Sequence, residues 1–202
     1  MNRLFSFAVI LVFVLMLLSG CGAEVISPST PVDTTVVVRS DIRADSALGF
    51  VYYSIDGDSI APPDSTATSA WDIRLSYLRC CGNTRNILIR LNSGNAGVGS
   101  TKGAVIASRF ENLSTLPAGT ALRNDDTLAP VIMFVGIDPV WVYQGAPNHT
   151  LAPSPDKIIA IKTRKGRLVK FQFTSIYEGA PATPTQASPI GFYHFRYANL
   201  RQ

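Results

Sequence analysis

"WDIRLSY", Trp71 to Tyr77, decides the fold class. Apolar and polar residues alternate through it with a period of two: Trp71, Ile73, Leu75 and Tyr77 fall on one face, and Asp72, Arg74 and Ser76 on the other. That is the pattern of a half-buried strand. Working outward, "TTVVVRS" (34–40), "GFVYYSI" (49–55), "NILIRL" (86–91), "PVIMFVG" (130–136), "KIIAIK" (157–162), "LVKFQF" (168–173) and "GFYHFRY" (191–197) are also short, rich in β-branched and aromatic residues, and bounded by Gly, Pro, Asn or Asp. In "LVKFQF", Val169, Phe171 and Phe173 point one way, Lys170 and Gln172 the other. No stretch past the N-terminal region is long and periodic enough for a helix. The expected fold is mostly β, a single antiparallel β domain of many short strands over 34–202.

The N-terminus limits the compartment. Arg3 supplies a short basic region, and "LFSFAVILVFVLMLL", Leu4 to Leu18, an apolar one, the two parts of a secretory signal. It ends in "LSGC", Leu18 to Cys21, which resembles a bacterial lipobox. That resemblance implies cleavage after residue 20 and acylation of Cys21 (palmitate among the acyl chains). A plain transmembrane anchor is the competing reading, but the apolar run is short for a span. Multiple acyl chains anchor a protein stably by themselves. Residues 1–20 therefore read as a lipoprotein signal peptide. Residues 21–33, with the Ser/Pro/Thr-rich "GAEVISPSTPVD", read as a lipidated cysteine and flexible tether.

Charge and cysteine content narrow the function. Without Arg3 the 18 Lys and Arg become 17, against 14 Asp and Glu, a mild +3. The one basic cluster, "KTRKGRLVK" (162–170), reads as a hairpin turning at Lys165-Gly166, so no nucleic-acid partner is expected. Cys80 and Cys81 are adjacent, too close for ordinary disulfide geometry and not spaced as a C-x-x-C redox site. A thiol-based redox role is the weakest reading, and free thiols in a loop the simpler one.

The chain has two histidines, His149 and His194. His194 shares a face with Phe192 and Arg196 in "FYHFRY", the face expected to meet solvent, and alternates with Tyr193, Phe195 and Tyr197. There is no G-x-S-x-G elbow and no H-E-x-x-H helix, so nothing in the motifs supports an enzyme. The glycine-rich "NSGNAGVGSTKGA" (92–104) is not a phosphate loop, because Lys102 precedes Gly103 instead of following a glycine and no helix comes after. It reads as a loop between strands. Asn148-His149-Thr150 spells a glycosylation sequon, which the bacterial lipobox discounts. Pro147 and Asn148 are turn residues that present His149 on a loop.

Several of these segments, taken in order, resemble the HmuY family of haem-binding bacterial lipoproteins. They are Trp71-Asp72-Ile73, then Arg90-Leu91-Asn92-Ser93-Gly94, then Gly103-Ala104. Trp141 follows, then the strand pair with Lys162, Thr163, Gly166, Lys170 and Tyr177, and finally Gly191, Phe195 and Tyr197. The resemblance runs from about Val36 to the C-terminus. It implies an almost all-β domain, anchored at the outer membrane, that captures haem and passes it to a membrane receptor. It also implies iron ligands on loops, one before the Trp141 position and one five residues after it. Here the fifth residue is Ala146, and His149 lies three further along the same loop. From Leu113 to Val140 the only soft donor is Met133, which otherwise reads as a buried strand methionine. Tyr143 is a neighbouring oxygen donor. The metal candidates are therefore His149, Met133 and Tyr143. A second reading keeps the HmuY-like scaffold as a surface lipoprotein docking a protein or glycan partner without haem. Which membrane face the protein occupies is left open.

Overall fold

Alternating apolar residues close into hydrogen-bonded ladders only if a second apolar face covers them, and this chain builds two such faces. The computed structural model describes residues 33–44, 49–76, 78–80, 84–134 and 139–201, with the backbone alone at 78–80 and 84–86. Residues 1–32, which hold the expected signal peptide, Cys21 and most of the expected tether, lie outside the described residues, as do Tyr77, Cys81 and the Cys80 side chain. The strands are β1 (Val37–Arg43), β2 (Phe50–Ser54), β3 (Ser59–Ala61), β4 (Ile73–Ser76), β5 (Leu78–Cys80), β6 (Thr84–Asn86) and β7 (Ile89–Leu91). Then come β8 (Lys102–Ala107), β9 (Trp141–Gln144), β10 (Thr150–Pro153), β11 (Lys157–Lys162), β12 (Leu168–Tyr177) and β13 (Ile190–Asn199). A five-stranded antiparallel sheet runs β1-β13-β12-β11-β8, and a four-stranded one β3-β2-β4-β7. β9 with β10 and β5 with β6 form separate two-stranded ribbons.

The inner faces of the two large sheets make the main core. Ile73, Leu75, Ile89 and Leu91 from one meet Ile159, Ile161, Val169, Phe171, Phe195 and Tyr197 from the other. Tyr53 meets Phe195 edge to face at 5.0 Å between centroids, and Phe171 stacks on Phe195 at 4.8 Å. On the reverse of the five-stranded sheet, Ile158, Ala160, Leu168 and Ala198 bury against Phe110 and Leu113. The mostly β architecture and the Val169/Phe171/Phe173 alternation agree with the sequence reading. Lys165-Gly166 turns the β11–β12 hairpin, with Gly166 at φ 84°.

Five local expectations are corrected, the burial of Asp72 among them. Trp71 does not share a face with Ile73 and Leu75. β4 starts only at Ile73, and a bend before it turns the indole onto Tyr52 (5.0 Å) in a separate cluster with Ala61. His194 does not face solvent: it is 4 % exposed, its Nε2 2.8 Å from the Tyr177 carbonyl and 3.1 Å from Asp41. Register shifts in β12 opposite it, and the irregularity in β1 between Arg39 and Ile42 that brings Asp41 over it, close that face. The described part of "PVIMFVG", up to Phe134, is not a strand. Side chains satisfy this segment's backbone instead of a neighbouring strand: Arg123 donates to the carbonyls of Ala129 and Pro130, and the Val131 N–H donates to Asp125. Last, the end of the glycine-rich run is strand, since β8 begins at Lys102.

The motif residues Trp71-Asp72 and Asn92 turn out to be a joint between segments. Asp72, read as lying on the polar face, is fully buried and accepts four hydrogen bonds. Ile55 N–H (2.9 Å) and Asp56 N–H (3.3 Å) reach Oδ2; Thr101 Oγ1–H (3.0 Å) and Arg164 N–H (3.3 Å) reach Oδ1. Asn92, also fully buried, donates to the carbonyls of Thr68 and Trp71 and accepts from Gly99 N–H. A Cβ on Gly97 would stand 2.2 Å from the Asn92 side-chain oxygen, so the glycines let the loop wrap that amide. Beside it, burial pulls the Arg90 guanidinium below its ordinary value, and Asp125 opposes that shift.

Candidate ligand-binding site

From Pro139 to Pro155 the sequence has no Asp, Glu, Lys or Arg. That uncharged segment folds into the β9–β10 ribbon. Its register sets Trp141 opposite Pro153, Tyr143 opposite Leu151, and Gln144 opposite Thr150. Residues 145–148 turn the chain, the Ala146–Pro147 peptide is cis, and the His149 N–H returns to the Gly145 carbonyl at 2.9 Å. His149 sits at φ 47°, in the left-handed region that histidine enters more readily than most side chains.

The ribbon is fixed at its foot and free at its tip. Trp141 is buried and packs on Phe173 at 5.3 Å, the Ser154 N–H donates to the Val140 carbonyl (2.9 Å), and the Leu151 N–H donates to Tyr177 Oη (2.8 Å). The Trp141 indole N–H is buried and has no partner among the described residues. Beyond these anchors Val142 is 47 % exposed, Tyr143 56 % exposed, and every residue from Val142 to His149 is exposed.

The structure brings two of the three predicted donors together. Tyr143 Oη is hydrogen-bonded to His149 Nδ1, with the ring centroids 6.0 Å apart. In the tautomer protonated at Nδ1, the imidazole donates to the phenol oxygen, and the Nε2 lone pair is free to face a metal. A ring nitrogen held by an oxygen while the other ligates is the usual outer-shell arrangement of metal-binding histidines. Met133 does not join them. It lies at the ribbon's foot, where its carbonyl accepts from the Val140 N–H (3.1 Å). It is half-buried, and it lines a hollow of about 370 Å³ with Val105, Arg123, Pro130 and Val131. Among the described residues no group of three His, Cys, Asp or Glu side chains gathers as a metal site.

Sequence reasoning found the tip through its histidine and its Pro147-Asn148 turn. It missed the ribbon, because a Gly/Ala/Pro/Asn tip masks two four-residue strands. The donor set fits one axial position of a haem iron, and the exposed Tyr143 ring offers an aromatic surface beside it. The ribbon itself supplies no cation for propionates.

No family model matches the chain, and no curated protein does. Solved structures do. The apo HmuY analogue of Tannerella forsythia superposes at a TM-score of 0.50 with 13% identity, covering 84% of this chain and 99% of that one. A Bacteroides vulgatus protein assigned as HmuY-like and heme-binding gives 0.49 with 15% identity, over 81% of this chain and 91% of its own. Apo PinO of Porphyromonas gingivitis gives 0.48 with 10% identity, over 83% and 98%. The nearly all-β antiparallel fold of this chain is thus the fold of the Tannerella forsythia HmuY analogue.

Proposed function

We propose that this protein is a membrane-anchored lipoprotein that captures haem as cargo for uptake and performs no chemistry on it. The observation that carries this reading is the exposed Tyr143–His149 pair on an uncharged ribbon. His149 Nε2 holds the iron, and Tyr143 orients the ring through Nδ1. Cys21 carries the lipid that tethers the domain at the outer membrane, and an outer-membrane receptor takes the haem onward. The shared fold supports this, as does the lipobox-like "LSGC".

Titrating the full chain with haemin should give a saturable red-shifted Soret band. His149→Ala should abolish it. Tyr143→Phe should weaken binding about 10- to 100-fold, the usual loss when an outer-shell partner of a metal ligand is removed. Met133→Leu should bind as the parent does. A spectrum indistinguishable from free haemin would sink the haem reading, and full binding by His149→Ala would sink this assignment of the ligand.

A further inference from the structure

Lys102 and Lys162 stand directly opposite each other across β8 and β11, an arrangement of like charges that weakens a sheet. Both are exposed and point to the sheet's reverse face, as Lys162 pairs in register with Leu168 of the second apolar cluster. Arg201 borders the same place. Among the described residues, none of these three charged side-chain groups has a hydrogen-bond or ion-pair partner. Elsewhere three arginines find carboxylates, Arg39 with Asp58, Arg167 with Asp56 and Arg196 with Glu111, and Arg123 finds the carbonyls of Ala129 and Pro130.

Lys162 and Arg201 line a hollow of about 340 Å³, within the range of small-molecule sites. Its walls are Leu116, Leu122 and Leu168, its rim Thr115, Lys162 and Arg201, and no acidic residue lines it. Both walls outside the sheet are pinned to it. The Arg201 N–H donates to the Ser114 carbonyl (3.0 Å), and Gly103 and Arg123 exchange N–H···O bonds at 3.0 and 3.1 Å. The hollow is therefore formed before any ligand arrives. It stands by Leu168, at one end of β12, whereas Tyr177 at the other end holds the β9–β10 ribbon. Nine strand steps separate those ends, about 30 Å.

We propose that this hollow binds a small amphipathic carboxylate, its apolar tail on the three leucines and its anion held by Lys162 and Arg201, with Lys102 adding charge from β8. An apolar floor ringed by uncompensated cations selects that chemistry over a neutral or cationic amphiphile. The site is independent of haem capture at the ribbon.

The test is isothermal titration of the full chain in phosphatidylcholine nanodiscs, with empty nanodiscs subtracted. Octanoate should bind saturably at one site, at least tenfold tighter than octanol. The double variant Lys162→Gln/Arg201→Gln should lose that preference, with thermal unfolding unchanged, and Leu122→Asn should weaken octanoate and octanol alike. Equal affinity for octanol, or an unchanged double variant, overturns the proposal. So does loss of octanoate binding when phosphatidylglycerol replaces phosphatidylcholine, since the occupant would then be a lipid headgroup.

Discussion

Replacing Asp72 by alanine is expected to destabilise the domain by about 4 kcal/mol. The carboxylate is fully buried and gathers donors from three separate places: the turn after β2, the glycine-rich loop and the β11–β12 turn. Hydrogen bonds to a charged group contribute about 1.5–3 kcal/mol each, and a buried donor left without a partner costs about 1–3 kcal/mol. Water entering the space recovers part of this, and the losses are not additive. Breaking a buried charged network typically falls at about 3–5 kcal/mol. For a domain of this size each kcal/mol moves the melting temperature by about 2–4 °C, so a drop on the order of 10 °C is expected by circular dichroism. Asp72→Asn should recover little, because its NH2 would face two of the four donors. A fall of less than about 3 °C for the alanine variant would mean that the four hydrogen bonds are dispensable.

Gly94→Ala is the second large effect. Gly94 lies at φ 60°, and a Cβ there would stand 2.0 Å from the Asp125 carbonyl oxygen, a backbone atom that cannot swing aside. The left-handed conformation alone costs a non-glycine residue about 1–2 kcal/mol, and forcing the overlap apart about 1–3 kcal/mol more. The movement would disturb Asp125, which holds the N–H groups of Leu91 (2.7 Å) and Val131 (2.8 Å). Gly119→Ala is the internal control: its φ is 79°, but nothing lies within 4 Å of the added carbon. Gly94→Ala should therefore cost about 3 kcal/mol in chemical denaturation and Gly119→Ala about 1 kcal/mol. Equal losses would show that the collision is absorbed and only the conformation matters.

These two sites show where the sequence stops being informative. Asp72 alternates with Ile73 in "WDIRLSY", and local periodicity assigns it to the polar face. Its partners are 16, 17, 29 and 92 residues away, and nothing in a seven-residue window carries that information. His194 failed for the same reason, being covered by Asp41 from a strand 153 residues earlier. The order of motif segments did point to the HmuY-like scaffold, but its most distinctive residues, Trp71-Asp72 and Asn92, join segments and touch no candidate ligand site.

The candidate site divides along the same line. His149 stood out because it is one of two histidines, and Pro147-Asn148 marked a turn. The partnership with Tyr143 needed the β9–β10 register to bring the two rings to one tip. Met133 is only a second candidate in the sequence, and the backbone bond from Val140 keeps it at the ribbon's foot.

What the sequence determined by itself is the strand-forming alternation, the antiparallel hairpin at Lys165-Gly166 and the presence of an exposed imidazole turn, because each depends on residues a few positions apart. Only the tertiary structure decided which faces are dry, which carboxylates are buried and which donors meet. Those outcomes depend on what a distant strand lays across a face, and burial, not spacing, sets their energy.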